Sequence, residues 1–98
     1  MNEVELRCRV LLTLQVALLG MVTPRTRAVL VSWSEVNVRF RILFDSLISG
    51  EDVERTSEIE TEVISHLPDH EVQGMAEAIK PESKIVCFEN EVFVYRRA

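Results

Sequence analysis

A two-layer α+β domain is predicted by three features of this sequence: one stretch of strict period-two alternation, two segments with apolar residues at helical spacing, and further β-rich stretches downstream of the second helix. The elements fall in the order α-β-β-α-β-β. Packed simply, they place two helices on one face of an antiparallel sheet of about four strands, a circular shift of the βαββαβ arrangement. Ninety-eight residues, 47% of them hydrophobic, are expected to form a single domain over 1–98. A chain of this size can build a core but has little room for a large buried pocket beside it.

The first helix is expected over residues 2–19, where Val10, Leu11, Leu14, Ala17, Leu18 and Met21 recur every three or four positions. Glu3 and Glu5 suit the positive end of its dipole, Gly20 can take the left-handed position just past its end, and Pro24 lies beyond. Two strands should follow. Residues 27–34 (RAVLVSWS) are rich in β-formers. Residues 36–44 alternate, with Val36, Val38, Phe40, Ile42 and Phe44 on one face and Asn37, Arg39 and Arg41 on a face open to water. The short Ser34–Glu35 connection makes the pair an antiparallel hairpin.

The second helix is expected over residues 49–67, with Ser49 as N-cap, Asp52 in the capping-box position and Pro68 closing the segment. Residues 69–81 carry conflicting signals. Val72, Met75, Ala76 and Ile79 have helical spacing, but Gly74 interrupts them and the sheet needs more strands, so a strand is the reading. Residues 84–88 and 92–96 flank Glu89-Asn90-Glu91 and read as two short strands around a turn or as one bulged strand.

Charge is unevenly distributed. Residues 1–43 carry a net +3, residues 44–80 a net −8 and residues 81–98 none, for a total of −5. A net acidic chain without a sustained Lys/Arg stripe is poorly suited to nucleic acid, whose binding rests on phosphate neutralisation. The longest apolar run, residues 10–22, is broken by Thr13 and Gln15 and is too short to span a bilayer. Acidic residues also stand where an export leader would be basic. A cytoplasmic protein without membrane association is therefore expected. Cys8 and Cys87 lack metal-motif spacing and are expected as buried, reduced thiols, with a disulfide as the alternative.

On a helical wheel, Val53, Ile59, Val63, Ile64 and Leu67 form the apolar arc of the second helix, while Glu51, Glu54, Glu58 and Glu62 line the outer face with Arg55 as the nearby cation. Carboxylates four residues apart repel by a few tenths of a kcal/mol each, so the row does nothing for the helix itself. It reads either as a solubilising face or as a docking face for a basic macromolecule. Glu51, Asp52, Glu54, Glu58 and Glu62 are the candidate partner-binding residues. Glu60 falls inside the apolar arc and is expected in a structural ion pair with Arg39, Arg41 or an Arg near the N-terminus.

Chemistry is sparsely signalled. His66 and His70 stand in H-x-x-x-H spacing, but Pro68 between them prevents the helical turn that a metal pair needs. No phosphate loop, nucleophile elbow or paired-acid signature is present. A protein without catalytic activity, cofactor or metal is the expectation. Trp33 and Tyr95 fit core or sheet-face packing better than interface anchoring.

Three blocks, ALLGMVTPRTRAV (17–29), FDSLISGEDVE (44–54) and SEIETEVISHLP (57–68), with VYRR at 94–97, cover about half of the chain. As a set they resemble a family of small cytosolic, uncharacterised bacterial proteins, some of which stand beside polymorphic toxins, including those of contact-dependent growth inhibition, as cognate immunity proteins. Ser46 follows the Phe–Asp pair where a glycine is expected. The resemblance implies a protein that binds and neutralises a toxin domain, and a nuclease toxin would offer a basic cleft to the acidic face. The competing reading is a self-associating structural or regulatory domain, a homodimer formed through an exposed sheet edge or the Trp33 surface.

Overall fold

The computed structural model describes residues 2–97, and its elements run in the order read from the sequence: α1 (Glu3–Ala17), β1 (Thr26–Trp33), β2 (Asn37–Asp45), α2 (Gly50–His66), β3 (Glu71–Ile79) and β4 (Val92–Arg96). Asn2 caps α1 by accepting from the Glu5 N–H at 2.8 Å. Gly20 adopts φ 75°, the left-handed conformation that releases the chain from the helix. Ser49 and Asp52 form a reciprocal capping box at the start of α2.

The four strands form one sheet in the order β3-β2-β1-β4. β1 pairs antiparallel with both β2 and β4. β3, however, runs parallel to β2, from Asn37↔Glu71 to Asp45↔Ile79, so the sheet is mixed and not antiparallel throughout. The reason is the length of α2. Seventeen helical residues span about 25 Å, close to the length of a nine-residue strand, so the helix returns the chain to the end of the sheet where β2 began.

Both helices pack on one face. Leu6, Val10, Leu14, Ala17 and Leu18 from the first helical segment meet Ile59, Val63 and Leu67 from the second over Val29, Val31, Val38, Phe40, Ile42 and Phe44. The alternation of β2 is thus realised from Val38 to Phe44, while Val36 lies outside the strand and is exposed. Gly74 sits opposite Phe40, and a Cβ there would come within 2.3 Å of the ring. The glycine that interrupts the helical pattern of β3 is therefore the space into which Phe40 fits.

The opposite face is not the open surface expected. After β3 the chain crosses it to reach β4 on the far edge, and residues 80–91 lie over a second cluster of Ala28, Leu30 and Leu43 with Ile79, Ile85 and Phe93. Residues 84–88 are consequently not a strand: they form the crossing loop, and a single strand, β4, follows. Arg41 projects into this layer with a side chain only 12% exposed. It donates to Glu91 from Nε and Nη2 at 2.7 Å each, to Glu77 at 3.2 Å and to the Val86 carbonyl, beneath the Phe88 ring at 4.4 Å. Burial alone would push the Glu91 carboxyl up, but the Arg41 guanidinium and the Phe88 N–H outweigh it and hold the group below the ordinary carboxylate range.

A candidate partner-binding face on the second helix

The position of α2 is set at its first turn. Arg25 reaches Asp52 through Nη2 at 2.7 Å and Nε at 3.1 Å, and donates again to the Leu47 carbonyl. Asp52 is 2% exposed and also accepts from the Ser49 N–H at 2.9 Å. The Arg25 hydrogen bonds, followed by those of Ser49, hold its carboxyl below the usual range against the opposing effect of burial. A second pair closes the same end of the domain. Asp45 accepts from Arg97 at 2.7 Å, with Arg27 at 3.8 Å, and Arg97 also donates to the Pro24 carbonyl at 2.6 Å. These contacts join segments 17–29, 44–54 and 94–97, the blocks that stand out in the sequence. Within them Ser46 adopts φ 60°, the left-handed conformation that suits the glycine expected there.

The five candidate carboxylates divide accordingly. Glu51, Glu54, Glu58 and Glu62 are exposed on α2, and Glu51, Glu54, Arg55 and Glu58 line an open depression of about 310 Å³. Glu62 lies 3.7 Å from the His66 ring, which attracts it when protonated. Asp52 is turned inward and serves as the clamp just described. The capping-box spacing marks its place at the start of the helix, but nothing in the sequence marks its pairing with Arg25, and the sequence reading places it among the partner-binding residues.

Glu60 has a different partner from the one expected. No arginine pairs with it among the described residues. Its Oε2 accepts the backbone N–H of Gly74 at 2.7 Å, on the outer edge of β3. Sequence separation hid this contact, since a backbone donor carries no residue-type signature. Cys8 and Cys87 are free and exposed, not buried. Cys8 lies on the outer side of α1 among the exposed Val4 and Leu12, and Cys87 belongs to the crossing loop. Trp33 and Tyr95 pack against the main core, with Arg7 stacked 5.6 Å from the centre of the indole ring. His66 ends α2 and His70 lies beyond Pro68, and no group of three or more His, Cys, Asp or Glu among the described residues is placed to hold a metal ion. No helix among the described residues is long and apolar enough to cross a membrane.

The fold and this face define a small α+β protein whose concentrated charge lies on an open helix surface, a geometry suited to contact with another macromolecule. A family model described as MafI2 immunity protein matches residues 7–98, and the chain belongs to that family. A search among curated proteins finds no match. Membership implies a protein toxin as partner, and immunity proteins of this kind are generally not catalysts.

Proposed function

We propose that this chain neutralises a cognate bacterial toxin domain in the cytoplasm by laying the outer face of α2 against a basic surface of the toxin. The carrying observation is the row of exposed glutamates at positions 51, 54, 58 and 62, flanked by Arg55 and set on a helix whose first turn is clamped by Arg25 and Asp52. The row repels itself in the free protein, and a cationic surface relieves that repulsion on binding. A nuclease fits as the target, because its substrate-binding cleft must be basic. The same field that draws the proteins together would then exclude the nucleic acid. Asp52 contributes by positioning the helix and not by touching the toxin.

The test is the triple substitution Glu54→Lys, Glu58→Lys, Glu62→Lys, leaving Glu60 untouched. Titration calorimetry against the cognate toxin domain should show affinity reduced by at least about a hundredfold, in line with the several kcal/mol that like-charge contacts impose at interfaces. Unchanged affinity in a variant with a wild-type circular dichroism spectrum would remove this face from the interface.

A further inference from the structure

β3 is an edge strand of nine residues. Glu71 donates inward to Val36 and Ile79 accepts inward from Ser46, so the odd-numbered residues of β3 bond to the sheet. The backbone groups of Val72, Gly74, Ala76 and Ala78 therefore point away from it. Among the described residues, those of Val72, Ala76 and Ala78 meet no backbone or side-chain partner on that side, and the Gly74 N–H meets the Glu60 carboxylate. The edge is lightly protected: β3 has no proline and no break in register, and its charged side chains are Glu71 and Glu77.

The helix above supplies the other wall. Glu60, Val53 and Ile64 lie within about 40° of one another around α2, at 100° per residue, and Val53 and Ile64 are exposed at 55% and 45%. Glu51, Glu58 and Glu62 lie on the opposite flank. α2 runs antiparallel to β3, which sets Ile64 toward the start of the strand and Val53 toward its end. Ala76 and Ala78 add only methyl groups along this edge, while the position without a side chain at Gly74 is filled by the Phe40 ring. Glu60 stands midway, a carboxylate that no Lys or Arg neutralises among the described residues.

We propose that the outer edge of β3 and the Val53–Ile64 flank of α2 form a docking groove for an extended strand of the protein partner, with the Glu60 carboxylate covering the central donor until that strand displaces it. The occupant is a β-strand with apolar side chains toward Val53 and Ile64 and a Lys or Arg between them to receive the released carboxylate. Main-chain hydrogen bonds supply the binding and the central cation the selectivity. The inference rests on the reading of the partner as a toxin domain but uses a surface separate from the acidic row.

Two variants and one exchange measurement test it with that toxin domain. Ala78→Pro removes an outward N–H on an exposed edge position, where proline is tolerated, and should weaken the complex at least tenfold. Glu60→Ala frees the Gly74 donor and should speed association while removing selectivity for the cationic strand. In the wild-type complex, amide exchange at Ala76 and Ala78 should slow at least tenfold relative to the free chain, a result that does not depend on either variant folding. Equal exchange rates in free and bound chain overturn the groove. If the triple lysine variant loses binding while these amides are unaffected, the acidic face stands and the groove falls. If neither surface responds, both readings fall. Strand-mediated self-association of the wild-type chain would also overturn the proposal, because the edge would then belong to a second copy.

Discussion

Arg25 and Asp52, 27 positions apart and 2.7 Å from each other, connect the segment after α1 to the first turn of α2. The pair matters because Asp52 is also half of the capping box, so one side chain satisfies a helix end and anchors it to the rest of the domain. The guanidinium stays partly in water at 42% exposure, which limits its desolvation cost, while the carboxylate is shielded. Asp52→Ala should therefore lose both functions and cost about 2–3 kcal/mol. Arg25→Ala, which leaves the cap in place, should cost less. Urea titrations followed by Trp33 fluorescence would show these as midpoint shifts at constant slope. Equal losses from the two variants would mean that the cap contributes nothing.

Stability should fall in acid for an identifiable reason. Asp45, Asp52 and Glu91 all have carboxyls held below their ordinary range when folded, in each case with an arginine partner. In the unfolded chain these groups take up protons at about pH 4, before the folded protein does. Their stabilisation is complete above that value and is lost as pH falls through it toward the depressed folded values. Glu91→Gln should cost about 2 kcal/mol at pH 7, since Arg41 keeps Glu77 as a partner but loses its nearer carboxylate. It should also flatten the acid limb of the stability curve. An acid limb of unchanged slope in this variant would show that Glu91 does not contribute to it.

Ser46→Gly should stabilise the protein by about 0.5–1 kcal/mol. The left-handed backbone at φ 60° costs a residue with a Cβ about 1–2 kcal/mol, and the greater freedom of glycine in the unfolded chain returns part of the gain. Ser46→Ala, which keeps the Cβ, should give no such increase. Thermal unfolding of the pair decides the matter: a melting temperature for Ser46→Gly at or below wild type would contradict it.

How much of this was legible in the sequence depends on the range of each interaction. The helices and the first two strands rest on periodicity within one element, and Val10, Leu14, Val38, Phe40, Ile42 and Phe44 are buried as their spacing requires. The competing signals in β3 were resolved correctly by Gly74, whose packing against Phe40 confirms that it belongs to a strand. Connection geometry was less legible. The direction of β3 depends on the span of α2, and the 84–88 segment is β-rich because Ile85 must cover a hydrophobic patch, not because it pairs with a strand. Arg41 followed the period-two rule onto the outer face, yet that face is covered by a loop whose path no local pattern encodes. The outer acidic row was visible on a wheel, but the inward role of Asp52 and the Glu60–Gly74 bond depend on partners 27 and 14 positions away.

The path of that loop also bears on how the chain folds. β1 lies between a neighbour that follows it at once and another, β4, that pairs Leu30 with Phe93 roughly sixty positions later, a separation that makes closure slow relative to hairpin formation. Until β4 arrives, Arg41 lacks Glu91, Asp45 lacks Arg97, and Ala28, Leu30 and Leu43 face solvent. Without β4, one sheet face and the outer edge of β1 would therefore be left uncovered. β4, the last of the four strands in sequence, is thus the one that closes both the second apolar cluster and the free edge of β1.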